Sequence, residues 1–362
     1  MSASVSVLVS AYGPSPYLGD AVRSVFCQTS ATLPEEIVLL TDQHRSIDLL
    51  RGGPSGRGIP IREVVCPEPR KGLFFSAGVK ACQGDVVSFL NDDDVWLPGR
   101  LASIHQGFAT RPAVALHRGG MRFYSPGGTP PHSWQRRMAR PGRTPVRLLH
   151  QHGHWPPYLG RYDLGFNDST LSVRREILEA ADPYLSRIEA SEDTFFLFSA
   201  LALGEELLYD PSPSVLYRPP PLIPSRADPD TVAGQILRLH QEFSLRIGTF
   251  RAIRQMVTDL AADRRDLVDL ADRGVAFHEL LAELTDGPTD RRAIAARVLR
   301  SLTLWTRYDP LLNLGVVATG ALSFLRRSLG PMLIVRAGLG QSPSKLSGPV
   351  RASGAHLPLL QR

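Results

Sequence analysis

The sequence predicts an α/β protein, a mostly parallel sheet flanked by helices, followed by an all-helical C-terminal region. Two observations carry this. Three short apolar runs, Val5–Ser10, Ile37–Leu40 and Val86–Leu90, and a further strand candidate, Ile61–Val65, alternate with segments of helical spacing. The runs are continuous rather than alternating, as expected of strands buried on both faces by covering helices. From about Asp228 the pattern turns wholly helical, with Ile236, Leu237, Leu239, Phe243 and Leu245 on one apolar stripe.

Taken in order, Val5–Ser10 is the first strand. Pro16–Gln28 follows as a helix through Leu18, Val22, Val25 and Phe26. Ile37–Leu40 is the second strand, and a Gly/Pro-rich stretch (51–60) separates it from the third at Ile61–Val65. Gly72–Cys82 reads as a helix and Val86–Leu90 as the fourth strand. Pro98–Phe108 reads as a helix with its proline in the first turn, a favoured place. Further strand is expected near 113–124, then a long irregular segment (125–165) crowded with Pro, Gly, His and Arg. Leu171–Val173, Arg175–Ala181 and Thr194–Leu203 resume the alternation. The implied organisation is a catalytic domain over 1–225, a helical extension over 226–339 and a Gly/Ser/Pro-rich disordered tail over 340–362.

With 362 residues, 43% of them hydrophobic and 21% charged, the chain has enough apolar material for a sizeable core and is not of disordered composition. The net charge of +6 would suit phosphate, an anionic membrane or nucleic acid. Nucleic acid is set aside because no basic–aromatic motif accompanies the charge. Cys27, Cys66 and Cys82 are odd in number and widely spaced, which argues against a disulfide framework or a zinc site and for a cytoplasmic setting. Met1–Ala11 lacks the basic start of a signal peptide and reads as a strand. The uncharged run Pro310–Leu325 is too short to span a bilayer. Residues 311–335 read either as a peripheral contact with the inner face of a membrane or as a buried helical hairpin.

Chemistry gathers where strands end. In an open parallel sheet, ligands bind beyond the carboxyl ends of the strands. Ser10–Ala11–Tyr12, Thr41–Asp42 and Asn91–Asp92–Asp93–Asp94 stand at three such ends, so the predicted sheet opens all three onto one edge. Successive aspartates repel one another, and a hard divalent cation, Mg²⁺ or Mn²⁺, is a natural partner that also bridges phosphates. A solvated acidic turn capping the next helix is the other reading of the same run.

These segments resemble family-2 glycosyltransferases of the GT-A fold. The likeness runs through Val5–Thr29, Glu36–Asp42, Arg70–Gly84 and Val86–Arg100, and reaches Asn167–Ala181 and Ser191–Leu201. The family's Leu-Asp-x-Asp-Asp-x-Trp motif stands here as Leu90–Asn91–Asp92–Asp93–Asp94–Val95–Trp96. The resemblance implies an inverting, metal-dependent hexosyl transfer from a nucleotide-sugar donor to a hydroxyl acceptor. By position, it implies that Ala11 and Tyr12 line the base and ribose pocket. Asp42 would bind the nucleobase, Arg70 or Lys71 would lie near the diphosphate, and Asp92 would contact the ribose. Asp93 and Asp94 would serve the metal. Asp193, with Glu192 beside it, would be the general base. The chain departs from the pattern at Asn91 and Thr41, where aspartates are usual, and after Tyr217–Arg218, where prolines replace a nearby histidine.

Other features keep two readings. Glu192–Asp193 also suits a helix N-terminus. His150, His152 and His154 share a strand face but lack a second ligand group, so a polar acceptor loop is preferred over zinc. Trp134, Trp155 and Tyr158 suit sugar stacking and core packing equally. A nucleotidyltransferase would be expected to open with a glycine-rich basic loop, where this chain has Ser10–Ala11–Tyr12–Gly13–Pro14. A degenerate scaffold is suggested by Asn91 and Thr41, but Asp92, Asp93, Asp94 and Asp193 count against it.

Overall fold

The computed structural model describes residues 3–30, 33–44, 58–124, 146–149, 167–218 and 232–285. The histidine triplet, Trp134, Trp155, Tyr158, the 311–335 segment and the 340–362 tail lie outside the described residues. The chain divides into two compact units, one of residues 1–219 with 252–268, the other of residues 220–251 with 269–362.

The first unit is built on a mixed sheet. Its strands are β1 (Val5–Ala11), β2 (Glu36–Thr41), β3 (Ile61–Val65), β4 (Val86–Asn91), β5 (Val95–Trp96), β6 (Val114–Phe123), β7 (Val146–Leu149), β8 (Leu171–Arg174) and β9 (Glu206–Tyr217). They lie in the order β3-β2-β1-β4-β8-β6-β9-β5, with β7 also on β9. β3, β2, β1 and β4 are mutually parallel. β8 runs antiparallel to both β4 and β6, and β9 lies parallel to β6. The expected α/β sheet is therefore parallel in its first half and mixed beyond.

Continuous apolar strands bury both faces. Every residue of β1 and β2 is buried. Val7, Val9, Ile37, Leu39 and Leu90 face helices α1 (Leu18–Phe26) and α3 (Arg100–Thr110), through Val22, Val25, Leu101, Ile104 and Phe108. On the other face, α2 (Lys71–Ala81) comes so close that a Cβ at Gly78 would press on Leu8 and Leu40. Phe75 of α2 and Phe89 of β4 meet Phe196 of α5 (Glu192–Leu203), and the Phe89 and Phe196 rings stack at 4.3 Å. This aromatic cluster fixes the helices that begin with Lys71 and with Glu192–Asp193. Each buried ring contributes on the order of 2–3 kcal/mol.

Three strands were not legible. β5 has two residues, and β7 is a four-residue strand within the segment read as irregular. β9 carries Pro211 and Pro213, a residue type that cannot donate to a strand ladder. In the structure these prolines fall between two ladders on one side of β9: β7 pairs with Glu206–Tyr209 and β5 with Val215–Leu216. On the other side the register against β6 shifts at Gly119–Gly120. A proline there sits at the irregularity, where a missing N–H costs least. Pro98 lies just outside α3, whose N-cap is Gly99.

In the second unit, Leu239 and Phe243 of α6 (Val232–Leu260) pack on Leu280 and Leu281 of α7 (Arg265–Thr285). His278 stacks on Phe250 at 5.2 Å. Among the described residues no helix is long and apolar enough to cross a membrane.

The start of α2 depends on one glycine. Between α4 (Arg175–Leu185) and α5, Ile188 accepts a hydrogen bond from Gly72 N at 3.0 Å, and a Cβ at Gly72 would collide with the Leu185 and Ile188 carbonyls. Gly72→Ala is expected to lose about 1–3 kcal/mol through this overpacking. Calorimetry should show a clearly lower Tm, and an unchanged Tm would mean that α2 does not dock as described.

Candidate active site

Parallel pairing aligns the ends of β1, β2 and β4. Ser10 registers with Leu40 and Asn91, and Ala11 with Thr41. The three polar clusters thus share the carboxyl edge of the sheet, and Asp92 N donates to Ser10 O at 3.0 Å. Ala11 is buried, while Tyr12 is 54% exposed and meets Phe74 edge-on, so one wall of this edge is an accessible ring. Asp42 follows β2 one strand away. Arg70 caps α2 and pairs with Glu68 at 3.2 Å.

The acidic loop is held from across the sheet by the residues before β8. Asp94 has no exposure, and its carboxylate accepts from Ser169 Oγ at 2.6 Å, Asn167 Nδ2 at 3.0 Å and the Arg218 backbone N–H at 2.9 Å. Burial still raises its pKa to about 6, against the lowering effect of those bonds. Asp93 is pushed up to about 7, first by burial and then by its neighbours Asp94 and Asp92.

Asn167 is the hinge of this arrangement. Its side chain serves Asp94, while its backbone N–H donates to Asp193 Oδ2 at 3.0 Å. Asp193 sits in the first turn of α5, where Thr194 N donates to Oδ1 at 2.7 Å, a placement that suits a carboxylate at the positive end of the helix dipole. Among the described residues, the non-glycine residues with positive φ are Asn167 (φ 63) and Ser191 (φ 56). Both sit at this edge, where sparsely populated backbone is held in place by its surroundings.

Glu192 pairs with Lys71 Nζ at 2.6 Å, so Lys71 engages a carboxylate here. Glu192 Oε2 and Asp168 Oδ2 are buried without a hydrogen-bond partner. Asp168 is pushed well above the carboxylate range, by burial first and then by Glu192 and Asp193. Behind the turn, wholly buried Arg100 donates to Thr170 O at 2.7 Å and to Ser172 Oγ at 3.0 Å. Arg218, at the end of β9, lies 3.8 Å over the Tyr17 ring, and its buried Nε and Nη1 have no hydrogen-bond partner.

The structure thus joins Asp94, Asp193, Glu192 and Lys71 into one contact network with the acidic loop, with Ala11 and Tyr12 on the same edge. Asn167, Asp168, Ser169 and Arg100 were missed. Their sequence signal was an Asn-Asp-Ser-Thr turn entering an apolar strand, which reads as an ordinary turn.

The fold is that of the GT-A glycosyltransferases. Residues 6–162 match the family model described as Glycosyl transferase family 2. An uncharacterised glycosyltransferase of Nostoc sp. is 33% identical over 114 residues, 31% of this chain, and the match spans 35% of that relative's length. Among solved structures, S. aureus TarS 1–349 in complex with UDP-GlcNAc aligns over 90% of this chain and 92% of its own, with 12% identity and a TM-score of 0.50, a likeness of fold. Together these findings show a stretch within residues 6–162 that is similar to family 2 glycosyltransferases, set in a GT-A-like fold.

The raised pKa of Asp93 has a stability consequence. Its unfolded-state value is 3.8 and its folded value about 7, so between these pH values the unfolded chain has released a proton that the folded one keeps. Stability contributed by this group is therefore present at low pH and lost as pH rises through that window. In the absence of divalent ions, Asp93→Asn should remove this downward component from the pH dependence of urea unfolding. Identical pH dependences for the two proteins would contradict the burial and charge crowding at Asp93.

Proposed function

We propose that the chain transfers a sugar from a nucleotide-sugar donor to a hydroxyl acceptor, with inversion and with help from a divalent metal ion. The observation that carries this is Asn167 tying Asp94 to Asp193: it sets the acidic loop beside a carboxylate on a different element. One-step displacement at the anomeric carbon needs those two functions side by side. A group must take the acceptor proton, and another must meet charge on the leaving diphosphate.

In this reading Asp193 is the base. An acceptor hydroxyl has a pKa far above 7, so its proton must leave to a carboxylate as the bond forms. The Asn167 and Thr194 amides hold that carboxylate in one orientation. Ala11, Tyr12 and Asp42 line the nucleoside side, and Asp92 faces the ribose. Arg70 and Lys71 stand on the diphosphate side, and Lys71 also pairs with Glu192, so it restrains the residue next to the base. Arg218 adds positive charge close enough to lower the pKa of Asp93.

The residues fit Mg²⁺ or Mn²⁺. The donors are all oxygens, and Asp93 is crowded by like charge, a condition that a hard cation relieves. Among the described residues no three His, Cys, Asp or Glu side chains form an ion site by themselves. Sites for such ions usually combine one or two carboxylates with substrate phosphates. Asp93 is assigned to the ion. Asp94, expected at the metal from its sequence position, is reassigned as a buried post, because three hydrogen bonds occupy its carboxylate. When bound, the ion would neutralise charge on the leaving diphosphate. Residues 1–225 are assigned to this catalysis and 226–339 to a helical extension.

A thermal-shift panel of nucleotide sugars, with and without Mn²⁺, tests the donor. A true donor at 100 times its Kd stabilises by about 2.7 kcal/mol. Asp193→Asn should keep that shift while turnover falls by about 10²–10⁴-fold. Wild-type turnover in Asp193→Asn would remove the base assignment.

A further inference from the structure

Position 91 is satisfied in an unusual way. Asn91 Oδ1 accepts from Ser10 Oγ at 2.8 Å, and its Nδ2 donates to Asp168 Oδ1 at 2.5 Å. Its backbone N–H donates to Ser169 Oγ at 2.9 Å, the same hydroxyl that serves Asp94. One short amide thus accepts on one side and donates on the other. An ionised aspartate could accept from Ser10 but not donate to Asp168, and would place a second acidic group at hydrogen-bond distance from the first. Asp168 itself is 3% exposed, with its second oxygen buried and unpartnered. A polar pair kept only for stability would satisfy that oxygen, since buried polar groups are nearly always paired.

We infer that Asn91 and Asp168 are a matched positioning pair: Asn91 locks the acidic loop 92–94 to the turn that holds Asp193, and the carboxyl belongs on the turn, at 168. What they position follows from the glycosyl-transfer reading. The pairing itself stands on the hydrogen bonds around Asn91. Moving the charge tests it. In the exchanged variant N91D/D168N, the aspartate at 91 accepts both from Ser10 and from the amide at 168. The hydrogen bonds from Ser10 to position 91 and between positions 91 and 168 survive and net charge is unchanged; Ser169 N loses its 3.1 Å contact with Oδ1 of residue 168 but keeps Asn167 Oδ1 at 2.8 Å.

Affinity for UDP and GDP, each with Mn²⁺, would be measured by titration calorimetry alongside Tm for wild type, N91D, D168N and the exchange. N91D is expected to weaken nucleotide binding at least about tenfold, the scale of one lost hydrogen bond to a charged group. D168N should weaken it less, because a carbonyl oxygen still faces Asn91. The exchange should return to within about threefold of wild type, the non-additivity of a coupled pair. If N91D does not fold, an exchanged protein that folds and binds supports the pair, and one that also fails overturns it. A pair serving stability alone would lower Tm in the single variants without altering affinity, and that result, or an exchange no better than N91D, rejects the proposal. Absence of nucleotide binding by the wild type would instead strike at the functional reading, and then coupling in Tm alone would decide whether the two residues are matched.

Discussion

The site depends on one buried carboxylate. Asp94 has no access to water, and the interactions that hold it come from two distant parts of the chain, the 167–169 turn and the start of the segment after β9. Removing a charged group from water costs several kcal/mol, a cost tolerable only where hydrogen bonds replace hydration. The partners are therefore constrained as tightly as the aspartate. Asn167 must keep a positive φ so that its amide reaches Asp94 while its backbone N–H reaches Asp193. The geometry of the proposed base is thus set by the burial of a residue on another strand.

The same logic explains the uneven distribution of charge at this edge. Asp93, Asp94, Asp168, Glu192 and Asp193 crowd together, and Lys71 and Arg218 offset them only in part. Stability alone does not favour such crowding, and two carboxylate oxygens, on Asp168 and Glu192, remain buried without partners. Strain in the backbone at Asn167 and Ser191 falls at the same place. Where local rules are broken together, a site is the economical explanation.

Much of the architecture was legible because strands buried on both faces can hardly read otherwise. Val7–Val9 and Ile37–Leu40 have room for little but apolar side chains, and the ends of β1, β2 and β4 located three polar clusters on one edge. β9 was not legible, because Pro211 and Pro213 break local propensity in a strand that forms only through neighbours distant in sequence. Nor did the run Asp92–Asp93–Asp94 reveal its division of labour. Three identical residues are distinguished only by burial, a tertiary property. Asp168 was hidden for a similar reason. Its partner Asn91 stands out as a departure from the expected motif, but the compensating residue lies 77 positions away, in a turn that β8 brings beside it.

That separation bears on how the site is built. The edge of the parallel half supplies the acidic loop, and the antiparallel strand β8 brings Asn167, Asp168 and Ser169 to meet it. Because β8 hydrogen-bonds to β4 through Val86–Ser88, register alone delivers the turn to the end of β4. A one-residue slip would exchange the inward and outward faces of β8 and remove Ser172 from Ser88, which it meets at 2.8 Å. Arg100 guards the same register from the other side by binding Thr170 and Ser172 together. The geometry of the proposed site is therefore inherited from strand pairing: the polar contacts at the edge sharpen a position that the hydrogen-bond ladder has already chosen.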